Sequence, residues 1–489
     1  MAGIAGTIGS TQQPGMTERM LEVIEHRGPD TVRAHRTRQF YGGVRTSDLS
    51  SVRGDGFARD GNLAILFDGE IYNARTAGQS DAEVALGLYR KYGRTFAAYL
   101  EGVFACAVCD GNTTLLARDA VGVRPLYWGT TNGGDLCFAS EAKALVGVSE
   151  DVAELPPATT HSSKTGPAGY FPRYPAVAMS QRFENAVRLL QGCLTRAVAR
   201  RLEDGAVGAC LLSGGLDSSI IAAIAKELGA DIPLVTVGIE GAPDLENAKV
   251  MAKHLGMEHH IFDYDAEQIR QAVPRAVWML ESFDEDCVSG TISNLFASAK
   301  ARQFTNCILS GEGGDELFGG YHLLKDLPTE AERLKMMDRL IAIAHNTALQ
   351  RLDRAMMGNS INYRTPFIDT AVIALSLQIP VRWKIHDAGN GREVEKYILR
   401  EAFKDLLPEK IYQREKLRFS AGTGTDNLMD KVAEGQADAD TDDFNKANRK
   451  TPEGYTLNSP KEMWYYNLFK QQFPAPCFER LVGRWDPGK

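Results

Sequence analysis

One short stretch, Leu211-Leu212-Ser213-Gly214-Gly215-Leu216-Asp217-Ser218-Ser219, constrains the fold of this chain more than any other. An apolar, strand-like run over 207–212 breaks there into two glycines and then into a helix-like run beginning Ile220-Ile221-Ala222-Ala223. Gly214 and Gly215 let the backbone turn tightly and approach an anion. Ser213, Ser218 and Ser219 offer hydroxyl donors, and the start of the helix offers unpaired N–H groups. An ordinary glycine turn needs only the two glycines; Ser-Gly-Gly-x-Asp-Ser is far more specific. No lysine follows the glycines, which excludes the Gly-Lys-Ser/Thr loop used to transfer a terminal phosphate.

A second strand-like run, 306–309, leads into Ser310-Gly311-Glu312-Gly313-Gly314-Asp315-Glu316-Leu317-Phe318-Gly319-Gly320-Tyr321, with five glycines and three acids. One such loop is by default a surface turn with solvated acids. An acidic loop facing a phosphate loop, each at the end of a strand, needs a cation between them. Around them helix-like and strand-like runs alternate: helix 183–202, strand 207–212, strand 233–239, helix 244–255, strand 259–264, helix 266–282 and strand 306–309. This alternation predicts parallel strands with helical crossovers, whose ligands bind beyond the carboxyl ends of the strands. From residue 328 onward most segments read as helical, and 435–451 is polar and charged enough for a mobile loop.

The first 145 residues instead carry short β-like runs with turn signals, such as 63–67, 104–108, 114–117 and 136–139, which predicts a sheet-rich α+β domain. The Pro-, Thr-, Ser- and Gly-rich stretch that follows reads as a linker. The expected organisation is a first domain over 1–150, a linker over 151–180 and a second domain over 181–489. A chain of 489 residues is long enough for two cores. Its net charge of −8 argues against a nucleic-acid groove, which needs a surplus of Lys and Arg, and leaves small metabolites as the expected partners. No basic-then-apolar leader and no run of about 18 apolar residues is present, so no membrane association and a cytoplasmic location are expected. The eight cysteines are irregularly spaced. Cys106-x-x-Cys109 lies in an apolar run without a second ligand pair, so strand burial is expected rather than a metal site.

Together these motifs resemble the glutamine-dependent asparagine synthetase family, and the resemblance runs from end to end. Ser213 to Ser219 resembles the pyrophosphate loop of enzymes that split ATP into AMP and pyrophosphate. Val237-Gly238 with Pro243-Asp244-Leu245 is similar to the segment lining adenine and ribose, and Glu281-Ser282-Phe283-Asp284 resembles a further family stretch. Ser310 to Tyr321 matches the family's second loop with Gly314 in place of serine, and Arg364-Thr365-Pro366-Phe367-Ile368-Asp369 and Arg414-Glu415-Lys416-Leu417-Arg418-Phe419-Ser420 are close to two later signatures. The resemblance implies an N-terminal sandwich-like amidotransferase domain of the Ntn type and a C-terminal parallel-sheet ATP-pyrophosphatase domain with added helices. It implies ATP and Mg2+, with Leu212, Ser213, Gly214, Gly215, Leu216, Asp217, Ser218, Ser219, Val237, Gly238, Ser310 and Gly311 around the nucleotide and pyrophosphate. Asp217 and Asp315 are the implied metal ligands, and Lys416 the cation at the pyrophosphate and acyl-adenylate. A dimer is implied by the resemblance alone.

Glu312 bears on the substrate. The related β-lactam-forming synthetases have a tyrosine there, serving an internal amine, whereas a carboxylate can accept a proton from attacking ammonia. The expected activity is an ATP-dependent ligase that adenylates a small carboxylate, by default aspartate, and passes it to ammonia or an amine with release of AMP and pyrophosphate. The rivals are a biosynthetic amide synthetase using another acid or a free amine, and a nucleotide-binding pseudoenzyme, which the intact set Asp217, Glu312, Asp315 and Lys416 argues against.

The N-terminal domain departs from the family at its centre. His26-Arg27-Gly28-Pro29-Asp30, Gly69-Glu70-Ile71-Tyr72-Asn73, the run 118–127 and Ser140-Glu141-Ala142-Lys143 all match, but the nucleophilic cysteine that follows the initiator Met is Ala2. A methyl group cannot attack an amide. The oxyanion-hole asparagine before Gly69 is Asp68, a carboxylate that would repel an oxyanion. The Arg-Leu-Ser signature reads Asp48-Leu49-Ser50, which leaves Arg45 as the substitute holder of a glutamine carboxylate, and Asp81 as the holder of its α-amino group. Either Ala2 is an engineered substitution in a glutamine-dependent protein, or the domain lost its chemistry and persists as structure. The family's usual Glu two residues before Arg364 is Asn362, a change expected either to alter substrate choice or to be a neutral surface change.

Overall fold

Two antiparallel six-stranded sheets lie face to face in the N-terminal half of the computed structural model, which describes residues 2–10, 13, 15–47, 53–73, 78–111, 113–176, 179, 182–389, 391–417, 419–434 and 449–485. Asp48-Leu49-Ser50 and residues 435–448 of the expected mobile loop lie outside these. The strands in chain order are β1 (Ala2–Ile8), β2 (Thr31–Arg36), β3 (Phe40–Thr46), β4 (Phe57–Asp60), β5 (Leu63–Ile71), β6 (Gly102–Asp110), β7 (Thr113–Arg118), β8 (Tyr127–Thr130), β9 (Leu136–Ala139), β10 (Ala153–Glu154), β11 (Thr159–Ser162) and β12 (Gly166–Gly169). One sheet is ordered β10-β8-β9-β1-β3-β2, the other β12-β11-β7-β6-β5-β4.

The period of two along each strand builds the layers. From β6, Ala105, Ala107 and Cys109 enter the core between the sheets with Ile4, Phe40, Leu66 and Phe138. Phe104, Cys106 and Val108 point the other way, where α2 (Asp81–Tyr92) covers them with Ala82, Ala85 and Tyr89. Helix α1 (Met16–Val23) covers the outer face of the first sheet. Cys106 and Cys109 thus sit buried on opposite faces of one strand, where they cannot share a ligand. The stretch 151–170 is not a linker: β10 joins the first sheet, and β11 and β12 complete the second. Thr159 and Thr160 hold strand geometry despite the neighbouring prolines because β-branched side chains suit a pleated surface.

After α3 (Phe183–Leu202) comes a five-stranded, wholly parallel sheet. It comprises β13 (Ala209–Leu211), β14 (Leu234–Val237), β15 (His259–Phe262), β16 (Cys307–Leu309) and β17 (Asn362–Arg364), in the order β15-β14-β13-β16-β17. The crossovers include α4 (Leu216–Glu227), α5 (Pro243–Leu255), α6 (Ala266–Leu280) and α7 (Glu285–Ala301). Further on lie α8 (Gly314–Phe318), α9 (Glu330–Ile343), α10 (Ala348–Met357), α11 (Thr370–Ser376), α12 (Val381–Lys384) and α13 (Tyr397–Phe403). The helix expected over 266–282 ends two residues early, at a left-handed Glu281 with φ 60°. The sheet order reverses between β13 and β16, and both glycine loops leave the sheet at that switch point, where ligands of such sheets bind.

The two halves are joined by buried charge. Arg27, fully buried, donates to Asp353 at 2.7 Å, Glu141 at 2.8 Å and Asp68 at 2.9 Å. Arg124 donates to Asp353 at 3.2 Å and Asn362 at 2.6 Å, and Arg354 to Glu281 at 2.7 Å. Asn362 is therefore neither a surface change nor part of the nucleotide cleft: it lies 7 % exposed in this web and also donates to Glu70 at 2.7 Å. Each charge has a partner, which is what makes such burial tolerable, since an unpaired buried charge costs several kcal/mol.

Candidate active site

The two loops meet backbone to backbone. Gly214 takes the left-handed φ of 72°, and a Cβ there would fall 2.4 Å from Asp244 O on α5. A Cβ at Gly311 would fall 2.7 Å from Ser218 N, and one at Gly314 would fall 2.6 Å from Asp217 Cγ. The glycine that stands in place of the family's serine at 314 therefore makes room for the Asp217 carboxylate. Helix α4 begins at Gly215 with no side-chain cap, which leaves its first N–H groups facing the cleft. The Ser213 and Ser218 hydroxyls satisfy one another, with Ser213 Oγ and Ser218 Oγ 2.9 Å apart and Ser213 N donating to Ser218 Oγ at 3.1 Å.

The cleft above these loops is lined by Leu212, Ser213, Gly215, Leu216, Asp217, Ser218, Val237, Ser310, Gly311, Glu312, Asp315 and Lys416, all expected from sequence. Three expected residues do not line it. Gly214 packs on α5, Gly238 lies against Thr423, and Ser219 is fully buried behind the loop. Arg414 and Asp244 also line the cleft; Arg414 donates to Gly214 O at 2.6 Å and pairs with Asp244, which clamps the cradle to α5.

Sequence reasoning missed the central cation. Lys396, 2 % exposed at its side chain, places Nζ 2.5 Å from Asp217 Oδ2 and 2.6 Å from Asp315 Oδ1. Lys416 Nζ lies 2.6 Å from the other Asp315 oxygen. Lys396 takes the left-handed φ of 54° immediately before α13, a strained conformation for a side-chain-bearing residue that marks functional positions. Glu395, the residue before Lys396, anchors the Lys416 backbone by accepting from Lys416 N at 3.1 Å, and is itself held by Lys325 at 2.6 Å and Arg400 at 2.7 Å. Burial pushes the Asp315 carboxyl up, but Lys396 and then Lys416 outweigh it and hold Asp315 well below the usual carboxylate range. Burial pushes Asp217 up, with Asp315 adding to it against the pull of Lys396.

Asp217 Oδ1 is buried with no hydrogen-bond donor. An orphaned carboxylate oxygen beside a second carboxylate suits a hard divalent cation. Among the described residues no cluster of three or more His, Cys, Asp or Glu would hold a metal unaided. Two carboxylates fit magnesium, which takes its remaining oxygens from phosphates and water.

Glu312 stands at the mouth of the cleft and accepts from Arg351 Nη2 at 2.8 Å. Arg351 comes from α10 and lies against Gly290 of α7, where any Cβ would strike its side chain at 2.6 Å. Two positions after it on the same helix comes the web's Asp353, so one helix serves both the cleft and the interface.

A second cavity, of about 290 Å³, opens behind β1 and is lined by Ala2, Gly69, Glu70, Arg53, Asp81, Asp204, Cys307, Asn362 and Arg364. Asp68 does not face it: its carboxylate is fully buried on Arg27. Nor does Arg45, which turns away to Glu25 at 3.4 Å. Two arginines line the cavity, Arg364 and Arg53, and Arg53 donates to Asp81 at 3.3 Å.

A family model described as asparagine synthase matches residues 189–346 and 325–474, and a glutamine amidotransferase domain model matches residues 1–162. The chain belongs to the asparagine synthase family. The amidotransferase match also covers β10 and β11, in line with the sandwich rather than a linker at that point. This asparagine synthase family member is 30 % identical to an asparagine synthetase (glutamine-hydrolyzing) of Zea mays, covering 100 % of this chain and 89 % of that one. It is 30 % identical to asparagine synthetase (glutamine-hydrolyzing) 2 of Arabidopsis thaliana, over 99 % and 89 %. It is 31 % identical to an asparagine synthetase (glutamine-hydrolyzing) of Triphysaria versicolor, over 97 % and 86 %. The chain is accordingly an AMP-forming carbon–nitrogen ligase that uses ATP, built from an amidotransferase-type domain and an ATP-pyrophosphatase domain. No helix among the described residues is long and apolar enough to cross a membrane.

Proposed function

We propose that the cleft adenylates a small carboxylate, aspartate being the first candidate, and hands the acyl group to ammonia or an amine. The observation that supports this most is the meeting of Asp217, Asp315, Lys396 and Lys416 over the uncapped start of α4, with Glu312 facing them. A carboxylate is a poor electrophile, so its oxygen attacks the α-phosphorus of ATP and pyrophosphate leaves. Ser213, Ser218 and the α4 N–H groups receive the leaving phosphates, and Lys396 and Lys416 match the charge that develops on them. Magnesium held by Asp217 and Asp315 adds charge neutralisation on the triphosphate when bound. Glu312, held in place by Arg351, accepts a proton from the nitrogen that displaces AMP. Val237 and Leu212 provide the apolar wall for the nucleoside.

Asp217→Asn is the test. The proposal expects amide formation and acid-dependent ATP–pyrophosphate exchange to collapse together, whereas a scaffold that merely binds nucleotide would keep its function. A second reading, that the nitrogen is not drawn from glutamine, is supported by Ala2 at the head of the second cavity and by the charged packing of Arg27 and Asp353 behind it. It expects ammonium or an amine to sustain amide formation and glutamine to add nothing.

A further inference from the structure

We infer that the carboxylate-binding corner of the cavity behind Ala2 is taken from within: Asp204 of the ligase half sits on Arg53 where an amino acid's carboxylate would sit, and denies that guanidinium to glutamine. The inference rests on the second reading above, that the glutamine half-reaction is lost, and it names the device that closes the site.

Arg53 is the guanidinium that the cavity presents beside Ala2 and Asp81. Its Nε donates to Asp204 Oδ2 at 2.8 Å, while Nη1 is engaged by Ile71 O at 2.9 Å and Asp81 at 3.3 Å. Asp204 comes from the turn after α3, in the other half of the chain. Its carboxylate is gripped on the opposite side by Arg364, Nη1 at 2.7 Å and Nη2 at 2.6 Å, in the forked geometry that guanidinium groups use for ligand carboxylates. Ala206 N adds a third donor at 3.1 Å. Burial pushes the Asp204 carboxyl up, but its bonds to Arg364 outweigh this and hold it below the ordinary carboxylate range, so it stays an anion.

An incoming α-carboxylate must therefore expel a fixed, ionised, doubly clamped carboxylate or bind beside it. The second course sets its α-carboxylate against the ionised Asp204 carboxylate, with Arg53 already engaged by Asp204, Ile71 O and Asp81. Either course disfavours glutamine and any other α-amino acid. The cavity has become a latch between the halves.

Titration calorimetry of the full-length chain with glutamine tests this, using wild type, Asp204→Ala and Asp204→Asn, each checked for folding by circular dichroism. Wild type should show no saturable glutamine binding in the millimolar range. Asp204→Ala should gain binding, at least about tenfold tighter than any wild-type signal, as expected when a buried charge competitor is removed. Asp204→Asn keeps an acceptor for Arg364, protects the fold, and should gain binding in the same direction. Saturable binding to wild type, or folded variants that bind no better than wild type, would overturn the latch. Glutamate release by wild type would instead overturn the second reading, and absence of acid-dependent pyrophosphate exchange the adenylation reading; neither measurement enters the binding titration.

Discussion

Replacing Lys396 by methionine keeps the length of the side chain and removes its charge from between Asp217 and Asp315. The ammonium lies 2.5 Å from one carboxylate and 2.6 Å from the other, with its side chain 2 % exposed. Removing one partner of such a buried pair costs about 3–5 kcal/mol. Lys416 still holds Asp315 at 2.6 Å, so the uncompensated charge is that of Asp217 and the lower end, about 3 kcal/mol, applies. A divalent cation binding those carboxylates contributes RT ln(1 + [L]/Kd), about 2.7 kcal/mol at a hundredfold excess over Kd, and so restores most of the loss. Urea unfolding with EDTA and with excess Mg2+, both without nucleotide, reads this directly. Lys396→Met should be less stable than wild type in EDTA and should recover in Mg2+, while wild type, whose carboxylates already hold a cation, should respond weakly. Equal stability in EDTA, or equal stabilisation of both proteins by Mg2+, would refute the reasoning that lysine and metal share one pair of carboxylates.

Glu312→Gln should slow amide formation by about 10²–10⁴-fold, the usual worth of a positioned proton acceptor, while acid-dependent ATP–pyrophosphate exchange persists, because the adenylation step does not use it. Gly311→Ala drives a methyl group to 2.7 Å from Ser218 N and should weaken ATP binding, measured by titration, because the two loops must separate. Asp353→Asn removes a carboxylate shared by Arg27, Arg124 and the Tyr363 hydroxyl at 3.0 Å; it should lower unfolding free energy by about 2–3 kcal/mol, because Arg27 retains Asp68 and Glu141. Burial, with His260 and Lys249, lowers the pKa of His259 to about 4 while Thr236 Oγ1 lies 2.7 Å from its Nε2. A depressed pKa contributes stability above the unfolded value near 6.5 that is lost as pH falls through 4, so His259→Gln should flatten the acid side of the stability profile, by about 1–2 kcal/mol after allowing for its partial exposure.

The parts of the site that were legible from sequence are those whose chemistry is local. A strand ending in Ser-Gly-Gly-x-Asp-Ser before a helix carries its own geometry, and the same holds for the loop after β16; the parallel order then brings the two to one switch point. Lys396 was not legible because its partners are far away in the chain and nothing beside it signals a ligand; the left-handed backbone before α13 appears only in the fold. The surface alternative for Asn362 fails for the same reason: its partners Arg124 and Glu70, which bury it, belong to the first domain. Arg45 on β3 pairs with Glu25, whereas the cavity's Arg53 lies in the loop between β3 and β4, whose path no local sequence pattern dictates. The proline- and threonine-rich stretch after residue 150 was read as a linker from composition, yet its threonines pair with β7 and extend the sheet.

Adenylation at this cleft is tested most directly by the fate of one oxygen. With a substrate acid carrying 18O in its carboxylate, mass spectrometry of the products formed in the presence of ATP and ammonium should find a single 18O in the phosphoryl group of AMP, transferred through the acyl-adenylate, and none in inorganic phosphate. Label appearing in inorganic phosphate together with ADP, or AMP released without label, would contradict adenylation at the Asp217–Asp315 cleft.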